Sequence, residues 1–372
     1  MKHFLRWSVV PGVVLLAVAA LAGASPSDRP AGVPSDFIAT PNGWFHPSCV
    51  IEAGAHERIR GGNVIERADG SERRLARCPH PHYDRRGKRI EPADAEPTIK
   101  GWVESASNAS QGPIGSIGTD WTVPQTPAIA SSQVLYYFPG LEPLPGTEFI
   151  LQPVLAWNGF NDRRWTIASW DCCPGGNQIH SPAAAVQPGD AIHGTVTGTD
   201  CNATSGVCSS WQVATSDPAN GASTVLGSAD GEGKVLDWSF AGVLEAYYVD
   251  ECGQYPPDGQ VTFSNLTVQG VDGMTFATEW QSAADLAGDG LCDYAVDVSP
   301  SAVTLGWHPF AADCNGDGVV TIAEVMTAVD IALCQGSSGC SLAACPAADS
   351  DLDGQVEIYD LIRGVNAVLK RS

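Results

Sequence analysis

The chain has 372 residues, 44% of them hydrophobic and 8% aromatic, which is typical of a globular protein with a sizeable core. Its formal net charge is -22, because 42 acidic residues stand against only 20 Lys and Arg. Such a surface repels nucleic acid and anionic membranes, so we expect neither as a partner. Protonation of carboxylates at low pH would relieve the self-repulsion, which favours an acidic working environment.

Residues 1–24 have the pattern of a secretory signal peptide. Lys2 and Arg6 precede an apolar run over residues 9–21, and the small residues at 22–24 suit a cleavage site. No later stretch has the roughly 18 consecutive apolar residues of a membrane span. We therefore predict a secreted, extracellular protein, and its twelve cysteines agree with an oxidising compartment.

Residues 25–100 differ from the rest of the chain in charge. Residues 26–100 hold 12 basic and 11 acidic residues, whereas residues 101–372 hold 6 basic and 31 acidic ones. One interpretation is a pro-segment, a basic strip over an acidic cleft that is removed at or near DRRGKR (84–89). The other is an N-terminal extension that adds hairpins to the main domain and is tied down by Cys49 and Cys78.

The region from 101 to 308 is predicted to be all-β. Short runs rich in Val, Ile, Thr, Tyr and Trp are separated by clusters of Gly, Pro, Asn and Asp, and none has the 3.6-residue period of a helix. This pattern favours an antiparallel two-sheet sandwich of the concanavalin-like jelly-roll type. Cys201 and Cys208 flank a short polar turn and could join the two strands of a hairpin.

Two of these strands each carry one polar side chain in an apolar run: Gln152 in FILQPVL (149–155) and Glu245 in VLEAYYVDE (243–251). An unpartnered amide in such a place costs on the order of 2 to 7 kcal/mol. Since side chains alternate along a strand, Gln152 shares a face with Ile150 and Val154, and Glu245 shares one with Val243 and Tyr247. Pro153 cannot donate a ladder hydrogen bond, which predicts a sheet edge or a bulge beside Gln152.

The ordered series of segments resembles the glutamic peptidases called eqolisins. The resemblance covers roughly residues 101–308 and rests on WTVP, ILQ, WTIASW, QPGDAIHGTV, LEAYYVDECG and QVTFSNLTV. It implies a sandwich with a Gln/Glu dyad that hydrolyses peptide bonds in a polypeptide substrate, and the matching positions here are Gln152 and Glu245. The family's Asn-Trp-Gly-Gly near the start of the domain is replaced by GWVESASNAS (101–110).

The chemistry of such a pair fits an acid endopeptidase. A carboxylate on a partly apolar face is a candidate general base for water, and an amide NH2 can stabilise the developing oxyanion. No G-x-S-x-G or H-E-x-x-H motif offers another mechanism. The structural alternative is a direct interior hydrogen bond between Gln152 and Glu245 in a non-catalytic sandwich.

Aromatic residues near these strands suggest both a substrate-binding cleft and a second class of function. We expect Trp157, Trp165, Trp170 and Tyr248 to line the cleft. Exposed Trp and Tyr on a β-sandwich would also suit a lectin-like or carbohydrate-binding module without catalysis. A glycosidase would need a second acid beside Glu245, for which Glu142, Glu148 and Asp250 are present without a motif.

The C-terminus carries two calcium-loop motifs, DCNGDGVVTIAE (313–324) and DSDLDGQVEIYD (349–360). Alternating oxygen ligands, a Gly at position 6 and a closing carboxylate are what a hard divalent cation requires. We therefore predict two structural Ca²⁺ sites and no cofactor for catalysis. Their predicted ligands are Asp313, Asn315, Asp317, Val319, Thr321 and Glu324 in the first loop, and Asp349, Asp351, Asp353, Gln355, Glu357 and Asp360 in the second.

Each loop is followed by a predicted helix, at 322–333 and 357–369, but no helix precedes the first loop. This arrangement, over residues 309–372, resembles a type I dockerin, which implies a cohesin-like partner. A Cys-rich insert (334–346) separates the repeats. The alternative is a self-contained calcium-stabilised module joined by disulfides among Cys314, Cys334, Cys340 and Cys345.

Overall fold

The computed structural model describes residues 29–54, 57–60, 63–90, 102–109, 112–144, 149–229, 231, 233–284, 292–316, 319–334, 341–350 and 354–370. The predicted signal peptide lies outside the described residues. So do Glu148, Cys340 and the predicted calcium ligands Asp317, Asp351 and Asp353.

Eight short strands form the N-terminal part of the described chain. They are β1 (Ile38–Thr40), β2 (Gly43–Phe45), β3 (Val50–Glu52), β4 (Arg58–Arg60), β5 (Val64–Glu66), β6 (Glu72–Arg74), β7 (His82–Tyr83) and β8 (Arg89–Ile90).

Fifteen further strands follow before the C-terminal helices. They are β9 (Glu104–Ala109), β10 (Ile114–Thr122), β11 (Val134–Glu142), β12 (Ile150–Trp157), β13 (Trp165–Cys172), β14 (Gln178–His180), β15 (Ala184–Ala185), β16 (Ala191–Cys201), β17 (Cys208–Ser216), β18 (Ser223–Ala229), β19 (Trp238–Tyr247), β20 (Gln260–Gly270), β21 (Gln281–Ala284), β22 (Asp293–Ser299) and β23 (Ala302–His308).

Two helices, α1 (Ile322–Cys334) and α2 (Ile358–Lys370), lie in the C-terminal region. Their spans confirm the predicted helices, and the element before the first loop is strand β23, as expected. Single 3-10 turns occur at Pro47–Cys49, Pro174–Gly176, Cys252–Gln254, Leu342–Ala344 and Pro346–Ala348. No helix in the described part of the chain is long and apolar enough to cross a membrane.

The strands form three sheets, so the all-β prediction is confirmed. A ten-stranded sheet has the order β22-β23-β20-β10-β16-β17-β18-β4-β5-β6. A nine-stranded sheet has the order β21-β9-β19-β11-β12-β13-β14-β3, with β15 pairing with β13. The third sheet, β1-β2-β7-β8, comes entirely from the N-terminal segment. Pairing is antiparallel throughout except where β3 joins β14 and β4 joins β18.

The two-sheet expectation needs a correction, because the four-stranded sheet adds a third layer. Strand β20 alternates between buried and exposed residues, as a strand with one solvent face does. Strands β11, β12 and β19 are buried at every position, because they are covered on both sides. The N-terminal segment therefore extends the edges of both large sheets and also covers the outer face of the nine-stranded sheet.

Two apolar cores follow from this layering. The larger core fills the space between the two large sheets and contains Leu135, Leu151 and Leu244. The second core lies between the nine-stranded sheet and the four-stranded sheet, and it joins Trp44 and Phe45 to Tyr136, Val154 and other residues of the nine-stranded sheet. Because the covering sheet shares this buried apolar core with the nine-stranded sheet, it is part of the folded structure.

Disulfides join segments that are distant in the chain or close a turn. The predicted pair Cys201–Cys208 is confirmed at the end of the β16–β17 hairpin. Cys49–Cys78 closes the N-terminal segment on itself. The other described bridges are Cys172–Cys173, Cys252–Cys292 and Cys314–Cys345.

Candidate functional site

Gln152 and Glu245 belong to the same sheet and flank its central strand. Gln152 lies on β12 and Glu245 on β19, and both strands pair with β11. Glu245 lies opposite Tyr136 of β11, and Gln152 lies opposite Trp170 of β13. The two residues therefore lie on the same sheet, on strands separated only by β11, rather than on opposite sheets.

Their side chains share one face, which we call the dyad face. Ile150, Val154, Val243 and Tyr247 all belong to the core under the four-stranded sheet. The intervening residues Leu151 and Leu244 belong to the core between the two large sheets. The predicted alternation is thus confirmed, and it directs Gln152 and Glu245 toward the four-stranded sheet.

Glu245 is buried, with 2% of its surface exposed, and its Oε1 accepts a short hydrogen bond from the hydroxyl of Tyr247. Burial raises the pKa of Glu245 to about 8, although Tyr247 and the cation of Arg85 act in the opposite direction. The indole of Trp102 also favours the charged form, but Oε2 has no partner in hydrogen-bond geometry. In the covered state, Glu245 is therefore a neutral acid at acidic pH.

The hydroxyl of Tyr247 has a single proton but faces two acceptors. It lies 2.8 Å from the carbonyl oxygen of Thr40, it contacts Glu245, and it accepts from the backbone N–H of Gly43 at 2.9 Å. A protonated Glu245 resolves this, because its O–H can donate to Tyr247 while Tyr247 donates to Thr40. The hydrogen-bond geometry and the raised pKa agree on the same protonation state.

Gln152 is fully buried, and its amide Nε2 donates to the carbonyl oxygen of Pro41 at 3.2 Å. Its Oε1 has no hydrogen-bond partner. A buried unpaired acceptor costs about 1 to 3 kcal/mol, so a residue kept in this position needs an explanation other than stability. The alternative of a direct Gln152–Glu245 hydrogen bond is wrong, because the two side chains bond to different groups.

Two consecutive carbonyl groups of the N-terminal segment accept hydrogen bonds at the dyad, one from Gln152 and one from Tyr247, which contacts Glu245. Thr40 O accepts from Tyr247, beside Glu245, and Pro41 O accepts from Gln152. Successive Cα atoms are only ~3.8 Å apart, so the two polar groups act on neighbouring residues of one polypeptide. The dyad face can therefore hold a peptide backbone between the carboxyl and the amide.

The expected sheet edge at Pro153 is wrong, because β12 pairs with β11 on one side and with β13 on the other. The missing N–H of Pro153 is accommodated by an interruption of the β11–β12 ladder. Register partners run from Leu135–Trp157 to Tyr137–Leu155 and resume at Leu141–Leu151. This interruption lies directly beside Gln152.

The four predicted lining aromatics divide between the two cores. Trp170 lies on the dyad face opposite Gln152, and Tyr248 packs there against Trp44 with a ring distance of 5.3 Å. Trp157 and Trp165 lie in the core between the large sheets, with ring centroids 5.5 Å apart. Their assignment to a cleft is therefore corrected. Trp157 is an odd number of positions, five, from Gln152 along β12 and so lies on the other face, and Trp165 is its register partner on β13.

Sequence reasoning missed three polar or charged side chains of the site. Tyr136 donates to the carbonyl of Ala39 at 3.1 Å, and Arg85 donates to the carbonyl of Ala246 at 3.3 Å. Tyr247 was expected on the face of Glu245 but was given no role. Alternation along VLYYF (134–138) shows only that Tyr136 and Tyr137 point to opposite faces of the sheet. The position of Tyr136 beside Glu245 depends on the pairing of β11 with β19, which the sequence pattern does not reveal.

A carbohydrate-binding surface is not supported by the described aromatics. Such modules present exposed rings, whereas all ten described Trp side chains are buried. Tyr359 is an exposed large aromatic, but it lies on α2, outside the sandwich. Of the acids named for a glycosidase, Glu142 is buried at the end of β11 and Asp250 is exposed just after β19.

The first predicted calcium loop converges on two carboxylates, those of Asp313 and Glu324, with 3% and 9% of their surfaces exposed. Glu324 accepts from the backbone N–H groups of Cys314 and Thr321, at loop positions 2 and 9. Asp313 accepts from the backbone of Gly316 at 2.9 Å.

The second loop repeats this pattern. Asp360, at position 12, accepts from the backbone N–H groups of Ser350 and Glu357, again at positions 2 and 9. Asp349 accepts from Gly354 at 2.8 Å. Both loops thus hold buried carboxylates at positions 1 and 12, which is the donor chemistry that Ca²⁺ requires. Among described residues, no group of three or more His, Cys, Asp or Glu forms a metal cluster.

The two C-terminal helices expose apolar side chains at matched places. Ile322 and Ile358 begin the helices with 75% and 76% of their surfaces exposed, and Leu333 and Leu369 lie near the helix ends with 82% and 64% exposed. Single exposed apolar residues are common, but a repeated set on two related helices favours a contact surface.

The chain is similar in fold to several solved structures, at low identity. A scytalido-glutamic peptidase bound to a transition-state analog inhibitor is 15% identical, with a TM-score of 0.42 over 56% of this chain and 98% of that one. SCP-B, a member of the eqolisin family in complex with the tripeptide Ala-Ile-His, is 16% identical over the same shares with a TM-score of 0.41. A family 7 alginate lyase, A1-II', is 12% identical, with a TM-score of 0.29 over 60% of this chain and 98% of that one. No protein-family model and no curated protein sequence matches the chain.

Proposed function

We propose that the protein is a secreted acid endopeptidase in which Glu245 is the general base and Gln152 stabilises the tetrahedral intermediate. One observation carries this proposal: Gln152 and the Glu245–Tyr247 pair hold consecutive carbonyl groups of one polypeptide segment. The sequence resemblance to the glutamic peptidases assigns the same two residues.

The reaction follows from the two side chains. With a peptide on the dyad face, the carboxylate of Glu245 takes a proton from water as the water oxygen attacks the scissile carbonyl carbon. The carbonyl oxygen becomes an oxyanion, to which the Gln152 Nε2 donates. Glu245 then returns its proton to the leaving nitrogen as the C–N bond breaks, which restores the carboxylate.

The proposal is tested by hydrolysis of a denatured protein at pH 3 to 5. Glu245→Gln and Gln152→Ala should each lower kcat, the latter by about 10² to 10³. Exposed Glu279, changed to Gln, is the matched control and should retain activity. Melting temperatures identify variants that lose activity by unfolding. No hydrolysis by the wild type, either intact or with residues 38–45 displaced, would contradict the proposal.

The C-terminal loops are proposed to bind two Ca²⁺ ions that stabilise residues 309–372. Their donors would be the carboxylates at positions 1 and 12, Asn315, Thr321 and Glu357, the acids Asp317, Asp351 and Asp353, and the carbonyl groups of Val319 and Gln355. The ions would order the loops through electrostatic attraction to these oxygens. We assign them no part in catalysis, because the loops and the dyad belong to separate parts of the fold.

The exposed apolar residues of α1 and α2 are proposed to contact a cohesin-like partner. Ile322 and Ile358 occupy the equivalent position 10 of the two loops, so each repeat offers a similar surface. Binding to a cohesin domain can be measured by calorimetry with Ile322→Asp and Ile358→Asp, alone and combined. Weakened binding supports the contact, and unchanged binding by the double variant contradicts it.

A further inference from the structure

The β1–β2 hairpin, residues 38–45, lies across the dyad face, and its two-residue connection, Pro41–Asn42, follows directly after β1. Ala39 O accepts from Tyr136 at 3.1 Å, Thr40 O from Tyr247 at 2.8 Å and Pro41 O from Gln152 at 3.2 Å. Three successive carbonyl groups are thus bound by side chains from three adjacent strands, β11, β19 and β12. Recognition of backbone carbonyls suits any sequence, as a polypeptide substrate requires.

We propose that this hairpin is an intramolecular inhibitor that occupies the substrate site and lowers the activity of the intact chain. The inference rests on the proposed peptidase function and adds a regulatory element to it.

Side chains of the hairpin strengthen its attachment. Trp44 packs edge-to-face on Tyr247 and Tyr248, with centroid distances of 5.0 and 5.3 Å. Asn42 donates from its Nδ2 to the Oε1 of Gln178 at 3.0 Å. Arg29 spans the two layers, because it lies over the Trp44 ring at 4.9 Å and donates to the Tyr248 hydroxyl at 3.1 Å.

The hairpin is not itself hydrolysed at the dyad, because its presence keeps Glu245 from acting as a base. Glu245 is buried beneath it and is engaged by Tyr247. Its raised pKa keeps the carboxyl protonated at acidic pH, so it cannot take a proton from water. Displacing the hairpin would expose Glu245 to solvent and lower its pKa toward the ordinary range. One segment thus blocks the site and inactivates the base.

A basic side chain of the same N-terminal segment reinforces this contact. Arg85 donates to Ala246 O at 3.3 Å, and its cation faces Glu245. Its own carbonyl accepts from the indole N–H of Trp44 at 3.0 Å, which joins the 84–88 turn to the hairpin. The expected cleavage region DRRGKR therefore includes a residue that holds the covering layer in place.

The test uses the full chain and a glycine within the hairpin. Gly43 has φ +105, and an added Cβ would lie 2.1 Å from the carbonyl oxygen of Tyr83, so Gly43→Ala should displace β2 from β7. Gly70→Ala is the matched control, because Gly70 also has a positive φ (+80) but no atom within 4 Å of the added Cβ. Both variants carry similar backbone strain, and only Gly43 contacts the dyad face.

Two measurements separate the inhibitor from the catalytic proposal. The first is fluorescence anisotropy of a labelled synthetic peptide with the sequence of residues 38–45. The second is hydrolysis of a denatured protein at pH 3 to 5, with Gly43→Ala/Glu245→Gln as the inactive reference. We expect Gly43→Ala to bind the peptide and to hydrolyse at least about tenfold faster than wild type and Gly70→Ala, a change equivalent to about 1.4 kcal/mol.

Each result decides one of the two proposals. Equal peptide binding and equal hydrolysis by wild type and Gly43→Ala, at rates above that of the inactive reference, would overturn the inhibitor and leave the peptidase standing. Peptide binding by Gly43→Ala without hydrolysis would support the covered site and overturn the peptidase. A folded Gly43→Ala that binds no peptide would overturn the inhibitor. Should circular dichroism show Gly43→Ala to be unfolded, Arg85→Met, in the 84–88 turn rather than in the hairpin itself, replaces it under the same criteria.

Discussion

Glu104 and Glu245 lie on adjacent strands and project to opposite faces of the nine-stranded sheet. Leu244, the residue before Glu245, pairs in register with Glu104. Glu104 therefore points into the core between the large sheets, where its Oε1 accepts from the backbone of Gly306 at 3.2 Å. Burial raises the pKa of Glu104 to about 9 and that of Glu245 to about 8. The sandwich thus contains two buried acids that are neutral at acidic pH.

These two groups should make the folded chain more stable in acid. Each folded pKa lies above the ordinary value of 4.5, so the folded state binds more protons than the unfolded state between pH 4.5 and about 8 to 9. This contribution is fully present below pH 4.5 and is lost as the pH rises through that window. Glu104→Gln, which is neutral at all pH values, should flatten the dependence of melting temperature on pH from 4 to 8.

The exposed Glu279→Gln variant is the control for this measurement and should retain the wild-type profile. A Glu104→Gln profile as steep as that of wild type would show that Glu104 does not carry the effect. Stability that increases from pH 4.5 to 8 in the wild type would contradict the assignment for both acids.

His82 should have the opposite effect on the N-terminal layer. It stacks on Phe45 with ring centroids 4.7 Å apart, and burial lowers its pKa from 6.5 to about 4. The folded state therefore binds fewer protons between pH 6.5 and 4, so stability that is present above pH 6.5 is lost as the pH falls through this window. Protonation of His82 should therefore loosen the covering layer, whereas protonation of Glu245, which is buried beneath that layer, acts in the opposite direction.

Hydrogen exchange of segments 38–45 and 82–90, corrected for intrinsic rates, measures this loosening. At pH 4.5, His82→Phe should be better protected than wild type, because a phenyl ring can stack on Phe45 without titrating. His193→Asn changes an exposed histidine on the ten-stranded sheet and should behave as wild type. Equal protection of His82→Phe and wild type at pH 4.5 would exclude His82 as the titrating group.

Much of the sandwich could be predicted from local pattern, because strand alternation assigns faces without tertiary information. Gln152 and Trp170 share the dyad face as even-numbered positions on directly paired strands. The same parity excludes Trp157, which we assigned to the cleft by proximity in sequence alone. Tyr248 reaches the dyad face with φ 56, a conformation that ends the strand and that alternation does not describe.

The covering hairpin could not be predicted at residue level. Its contacts with Tyr136, Tyr247 and Gln152 depend on the order of β11, β12 and β19 and on a short turn more than 90 residues earlier in the chain. Charge contrast indicated only that a basic segment is complementary in charge to an acidic domain. The sign of the third layer is that β11, β12 and β19 are buried at every position. A two-layer sandwich does not require this, because one face of each of its sheets contacts solvent.

Calcium removal should destabilise the C-terminal module and leave the sandwich folded. A ligand present at about 100 times its Kd stabilises the folded state by about 2.7 kcal/mol, so chelation should lower the melting temperature of a separate C-terminal transition. Asp313→Ala and Asp349→Ala should each remove one binding event in a Ca²⁺ titration by calorimetry. Asp330→Ala, an exposed acid of α1, should retain both events. Loss of peptidase activity on chelation would contradict a purely structural role for the metal.

Tyr247 should set the acidic limit of activity once the hairpin is displaced. Its hydroxyl donates to the carboxyl of Glu245 and favours the charged form, so Tyr247→Phe in the Gly43→Ala background should raise the pKa of the base. The acid limb of the kcat/KM profile should then move to higher pH. Tyr136→Phe removes a hydroxyl that also contacts the hairpin, through Ala39, but that makes no hydrogen bond to Glu245. Loss of the Tyr136 hydroxyl leaves the hydrogen bond between Tyr247 and Glu245 intact, so the Tyr136→Phe control should retain the original acid limb. An equal shift in both variants would mean that hairpin displacement, rather than the Tyr247–Glu245 bond, sets the pH dependence.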